Sequence, residues 1–250
     1  MEAVQIGPFY VNWRLLTLVV SVIVSYLAVS FIIRRTLWKQ SPLMDIVWSS
    51  LAIGFFSWKL SPYLLQPSMI WQSPLKGIMM QGGLYATWIG AGVALVYLFL
   101  RSYRTGLPLR LIADVIAYGG ASFLAVRAIV GGPRYGAVTE LPWGISLSDP
   151  AYAYHPIHLY ELLLALVLIL IYILGKIKPN SGRAGERFFL IGGAGLLAIS
   201  LVMSAERADL LLTSHQWFAL SMCLFGLILP SLYILWEDKL QRSWTPDDQS

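Results

Sequence analysis

The sequence predicts an all-α, polytopic membrane protein with seven transmembrane helices, the N-terminus outside and the C-terminus cytoplasmic. Three observations carry this. Apolar residues make up 57% of the 250-residue chain and charged residues only 12%, whereas soluble domains carry about 25% charged residues. Seven stretches approach the roughly 20 residues of apolar helix that a bilayer core requires. The Lys and Arg residues between those stretches collect on alternate sides.

The expected spans are roughly 15–33, 43–63, 83–100, 109–127, 157–175, 186–204 and 215–235 of a single transmembrane domain covering 1–250. The second is the weakest, with Asp45 near one end and Lys59 near the other, and the fourth contains Asp114. Arg34, Arg35 and Lys39 follow the first span, Arg101, Arg104 and Arg110 the third, and Lys176, Lys178, Arg183 and Arg187 the fifth; Lys239 and Arg242 lie in the tail. Those twelve cations mark the cytoplasmic side; Arg14, Lys76, Arg127, Arg134 and Arg207 are the five opposite them.

The longest internal loop, 128–156, falls on the outer side and is rich in Gly, Pro and turn pairs (G-G-P-R, L-P-W-G, S-D-P). Ten Trp and thirteen Tyr suit the membrane–water boundary. A formal net charge of +5 is explained by the loop cations that orient the chain, so nucleic acid is excluded as a partner. Cys223 is the only cysteine, so no intramolecular disulfide forms, and its apolar setting reads as a small buried hydrophobe. The N-terminal segment has no basic n-region followed by a short apolar run and a small-residue site, so no cleaved signal peptide is expected. No internal repeat is seen, which weakens a transporter reading, and the seventh span has no lysine for a retinal Schiff base.

Candidate chemistry gathers at the outer side. Arg127, Arg134 and Arg207 flank the ends of the fourth and sixth spans, where positive charge is disfavoured. Guanidinium forks match phosphate geometry, and lipid head groups offer phosphate; interfacial snorkelling is the plain alternative. The second cluster is H-P-I-H-L-Y-E, residues 155–161, at the mouth of the fifth span. Pro156 suits the first turn of a helix. His158 and Glu161, three apart, then share a face, and a carboxylate is favoured near a helix N-terminus. A His–Glu pair can serve as general base and orienting partner, or simply as a polar cap where the span meets water. No further His, Cys or Asp lies nearby to complete a metal site, so no metal is expected.

Several segments together resemble one family. Thr139 to Gly144 (T-E-L-P-W-G), then His155-Pro156 and Leu159-Tyr160-Glu161, are similar to the T-x-L-P-W-G-like turn and H-P-x-x-L-Y-E junction of prolipoprotein diacylglyceryl transferases. Ile6-Gly7-Pro8 with Trp13 resembles the I-G-P…W opening of that family, and Gln81-Gly82-Gly83-Leu84 its H-G-G-L. Arg183-Ala184-Gly185-Glu186 before Phe188 resembles R-G-E-x-F, and Arg207-Ala208-Asp209 resembles R-T-D. The motifs fall in family order over nearly the whole chain.

The resemblance implies a bacterial inner-membrane transferase that lipidates lipoprotein precursors. Its partners are phosphatidylglycerol or a related anionic phospholipid, a prolipoprotein signal segment and the bilayer, with no cofactor. The diacylglyceryl group moves to a lipobox cysteine thiol and glycerol phosphate leaves. A thiol with an ordinary pKa of about 8.5 is mostly protonated at neutral pH, so a base or a positive field is needed.

The sequence departs from the family at several positions. Gln81 stands where the family has histidine, Pro133 where it has glutamate, and Ser200 and Ser204 where it has arginine and glutamate; Arg14 replaces a tyrosine. The arginine of the loop block falls on Ala125, or on Arg127 with a two-residue deletion. Arg127, Arg134 and Arg14 then supply outer cations, and Glu140, His155, His158 and Glu161 supply candidate bases. The expected assignment places Arg127 and Arg207 on the lipid phosphate with Arg134 in reserve, and Gln81, Tyr160 and Gly136 as further substrate contacts. His158 or His155 acts as base with Glu161 orienting it. His158 has no usual family counterpart and replaces the missing histidine if it converges with Gln81 on one cavity. The alternative is a non-catalytic paralogue that binds phospholipid or lipoprotein signal segments.

Overall fold

The computed structural model describes residues 3–6, 9–72, 84–147, 149–203 and 212–244. The protein is mostly helical, and among the described residues six helices are long and apolar enough to cross a membrane: Leu16–Ile33, Leu43–Leu65, Leu109–Val130, Ile157–Leu174, Arg183–Leu201 and Ser214–Gln241. The remaining expected span, 83–100, is also helical, Leu84–Arg104, with Arg101 and Arg104 in its last turn. The chain divides into two compact units, Leu37–Pro108 and the remainder, Met1–Thr36 with Leu109–Ser250.

The larger unit begins with an element not expected from the sequence. Strands β1 (Ala3–Ile6) and β2 (Phe9–Asn12) pair antiparallel, Ala3 opposite Asn12 and Ile6 opposite Phe9. The chain runs directly into α1 (Trp13–Ile33). Along α1, Thr17, Ser21 and Ser25 are buried and return their hydroxyls to the carbonyls of Trp13, Thr17 and Ser21. Small hydroxyl residues at this spacing satisfy themselves within the helix and permit close packing in an apolar solvent.

The smaller unit holds a 3-10 turn (Leu37–Gln40), α2 (Leu43–Leu65), the single turn α3 (Met69–Gln72) and α4 (Leu84–Arg104). Helices α2 and α4 meet through glycine. A Cβ on Gly54 would lie 2.8 Å from the Ala94 Cβ, and one on Gly90 would lie 2.8 Å from the Gly54 carbonyl oxygen. The backbones therefore approach at a distance only glycine allows, and Ser50 donates across the contact to the Ala94 carbonyl at 2.6 Å. Pro62 interrupts α2 without an N–H for the Trp58 carbonyl; the Ser61 hydroxyl occupies that acceptor instead, at 2.7 Å.

Helix α5 (Leu109–Val130) is the most enclosed of the spans and packs against α1, α6 (Ile157–Leu174) and α7 (Arg183–Leu201). Asp114, fully buried on α5, explains part of this. Its carboxylate accepts the backbone N–H groups of Ser181 and Gly182 at 2.9 Å and of Gly185 at 3.0 Å. These are donors around the start of α7, which lacks a side-chain cap of its own because Gly182 stands there, at φ 76°. An intramembrane acid that could suggest a transport path is thus a helix clamp supplied from a neighbouring helix. Tyr233 of α8 (Ser214–Trp244) donates to the Gly182 carbonyl at 3.1 Å on the same turn.

Within α7, Phe188–Gly192 widens into a π turn. The Cys223 thiol of α8, half-buried, reaches the Leu190 carbonyl at 3.8 Å. The loop between α5 and α6 forms a three-stranded antiparallel sheet in the order β3 (Tyr135–Thr139), β5 (Ala153–Pro156), β4 (Ile145–Ser146).

Candidate functional site

Three segments meet where α5 ends and α6 begins. Arg127 occupies the last turn of α5. The helix stops at Val130, and Gly131-Gly132-Pro133, with Gly132 at φ 77°, redirects the chain so that Arg134 precedes β3. From the other side, β5 pairs with β3, Tyr135 opposite Pro156, and passes straight into α6. Pro156 stands at the N-cap position, immediately before the first helical residue rather than in the first turn. Its fixed φ starts the helix at Ile157, so His158 and Glu161 lie within its first five residues, three apart.

That spacing puts both residues against Arg134. The Arg134 guanidinium straddles the Glu161 carboxylate, Nη1 to Oε1 at 3.0 Å and Nη2 on Oε2, a bidentate fork. Arg127 adds Nη2 to the same Oε1 at 3.2 Å. The Glu161 side chain is only 6% exposed, while those of Arg127 and Arg134 are 40% and 32% exposed. One buried anion therefore holds two cations at the edge of the fold, and the trio carries net positive charge. The carboxylate offsets the repulsion between the guanidiniums and, among the described residues, takes up only some of their N–H groups. Glu161 is thus engaged by arginine, not by His158 as the expected orienting role required.

His158 is half-buried against the Arg134 backbone. Its Nδ1 lies 3.2 Å from both the Arg134 amide nitrogen and the Arg134 carbonyl oxygen. The imidazole can therefore accept from the amide or donate to the carbonyl, depending on tautomer. Tyr135 closes one side of the ring edge-on, centroids 6.1 Å apart.

His155 and Tyr160 form a separate group. Their side chains meet across the strand-to-helix junction, His155 Nδ1 to Tyr160 Oη at 2.9 Å, and Trp143 Nε1 donates to the same phenol oxygen at 2.9 Å. Trp143, in the turn between β3 and β4, was not among the expected site residues; the P-W-G turn that contains it was the signal. Tyr160's hydroxyl is occupied within this group.

Gly136 is a packing position. A Cβ there would fall 2.2 Å from the Val202 carbonyl oxygen and 2.8 Å from Ile157 Cδ1. The next residue, Ala137, donates its amide to Val202 at 2.9 Å, tying β3 to the end of α7. Glu140 is exposed, immediately after β3. Ser200 is buried and returns its hydroxyl to the Leu197 carbonyl at 2.6 Å. Gln81, Ser204 and Arg207 lie outside the described residues. Among the described residues no group of three or more His, Cys, Asp or Glu could hold a metal ion.

Comparison with known proteins supplies the family context. The family described as prolipoprotein diacylglyceryl transferase matches residues 1–232. A phosphatidylglycerol–prolipoprotein diacylglyceryl transferase of Pseudomonas fluorescens is 27% identical over 94% of this chain and 91% of its own length. The protein of the same description from Phenylobacterium zucineum is 28% identical over 97% and 93%. The one from Geobacter sulfurreducens is 30% identical over 63% and 66%.

Proposed function

The chain belongs to the prolipoprotein diacylglyceryl transferase family, and on that premise we propose that it moves the diacylglyceryl group of phosphatidylglycerol to the lipobox cysteine thiol of lipoprotein precursors. The observation that carries this reading is the Arg127–Arg134–Glu161 cluster with His158 beside it. The thiol loses its proton, its sulfur forms a bond to the terminal glyceryl carbon, and that carbon's bond to the phosphate oxygen breaks. The electron pair leaves on glycerol phosphate.

Each residue has a place in that sequence. Arg127 and Arg134 hold the phosphate and take up the charge that grows on it as the bond breaks, an effect strongest where water is restricted. Arg207, outside the described residues, is assigned the same task from the family resemblance of Arg207-Ala208-Asp209. Glu161 holds the two guanidiniums together rather than orienting a base. His158 accepts the thiol proton in the tautomer whose Nδ1–H donates to the Arg134 carbonyl, which leaves Nε2 with its lone pair. No cofactor enters the reaction.

The chain acts as one transmembrane domain in the bacterial inner membrane. It has seven spans, with α4 as the third, its N-terminus outside and its C-terminus cytoplasmic. The twelve cytoplasmic-side cations against five outside support that orientation, and the site then opens at the outer face, where precursor thiols are presented.

The test is direct transfer. Purified protein in detergent receives phosphatidylglycerol and a lipobox peptide, and both glycerol phosphate release and peptide mass are followed. Peptide-dependent release with the matching mass gain is expected. No release beside an active control enzyme overturns the catalytic reading in favour of a lipid- or signal-binding paralogue.

A further inference from the structure

The hydrogen bonds around Tyr160 have a direction. An indole N–H can only donate, so the Tyr160 oxygen accepts from Trp143 at 2.9 Å. The phenol proton is then best placed on the other neighbour at hydrogen-bond distance, His155 Nδ1, also at 2.9 Å. An Nδ1 that accepts carries no proton, and a neutral imidazole then has its proton on Nε2. The opposite arrangement, with Nδ1–H donating to Tyr160, would force the phenol oxygen to accept twice and turn its own proton away.

We propose that Trp143 and Tyr160 form a one-way hydrogen-bond chain that fixes His155 as the Nε2–H tautomer, so that His155 is a hydrogen-bond donor and His158 is the member of the pair able to take a proton. The inference rests on the transferase reading only for its consequence; the tautomer itself is independent of any activity. The two histidines differ for a structural reason. His158 Nδ1 faces both an amide N–H and a carbonyl oxygen of the same residue, so either tautomer finds a partner. His155 Nδ1 faces a hydroxyl already committed by a pure donor.

Trp143 and Tyr160 are therefore positioning residues. Trp143 is 56% exposed, so its indole does not serve as core packing at this point; the N–H is the part with a defined partner. Replacing it with phenylalanine keeps an aromatic ring in the P-W-G turn and removes only the donor.

The experiment is nitrogen NMR on the full chain in detergent micelles, with histidine as the only labelled residue type. The chain has three histidines, so His155 is assigned by comparison with His155→Gln. The wild-type spectrum should show His155 as the neutral Nε2–H form, with its Nδ1 signal displaced by an accepted hydrogen bond. Tyr160→Phe should abolish that displacement. Trp143→Phe should weaken it, with the preference for one tautomer falling by about fivefold, the equivalent of the roughly 1 kcal/mol of one net hydrogen bond. In the transfer assay the same Trp143→Phe variant should lower kcat several-fold more than it changes KM for phosphatidylglycerol. A wild-type His155 carrying its proton on Nδ1, or a spectrum unchanged in Tyr160→Phe, overturns the proposal whether or not transfer is observed. Absence of transfer with the expected spectrum overturns the transferase reading and leaves the tautomer assignment standing.

Discussion

Arg134 meets Glu161 through both ends of its guanidinium fork while its own backbone touches His158, three residues earlier on the same helix. A single loop residue thereby couples the charge of the site to its imidazole. The buried partner is the carboxylate, and the exposed partners are the cations. Removing one member of such a pair costs mainly through the charge left behind.

Glu161→Ala should therefore destabilise the fold by about 2 kcal/mol, less than a fully buried pair because the guanidiniums remain partly solvated. It should also raise KM for phosphatidylglycerol as the two cations separate. Thermal denaturation in detergent and transfer kinetics check the two halves. A stable variant with unchanged KM would remove Glu161 from the phosphate site.

His158→Gln keeps hydrogen-bonding capacity but cannot take a proton. Turnover should fall by about 100-fold, the lower range of general-base contributions, with lipid binding retained. Arg127→Ala should instead weaken binding of the lipid phosphate. Titration with phosphatidylglycerol in mixed micelles separates the outcomes; equal loss of binding in both variants would argue against distinct roles.

Asp114→Ala should unfold the start of α7. Three backbone N–H groups would lose their acceptor in a buried setting, at a cost of about 3 kcal/mol. Limited proteolysis in detergent should show new cleavage around 178–187. A variant as resistant as wild type would mean that the clamp contributes little.

Gly136→Ala separates packing from substrate contact. The added methyl has no room beside the Val202 carbonyl, so stability should fall by about 2 kcal/mol and activity with it. If stability is unchanged while KM rises, Gly136 contacts substrate after all.

Much of the architecture was legible from hydrophobic length alone. The expected spans 43–63, 109–127 and 157–175 match helices Leu43–Leu65, Leu109–Val130 and Ile157–Leu174 within a few residues. In a bilayer the backbone must satisfy itself locally, so apolar length and helix length coincide. The hairpin of β1 and β2 and the sheet between α5 and α6 were not legible. Two strands of that sheet are only four and two residues long, and short strands leave too few alternations to read.

The site divides the same way. The sequence by itself placed Arg127 at the end of one apolar run, His158 and Glu161 at the start of the next and Arg134 in the loop between them, because apolar length and helix spacing are local properties. Tertiary structure alone decided the partners: Glu161 went to two arginines, Asp114 became the cap of a distant helix, and Trp143 joined Tyr160 and His155. Those pairings depend on how the chain between α5 and α6 folds back on itself, and on which polar groups, once withdrawn from water, lie within hydrogen-bond reach.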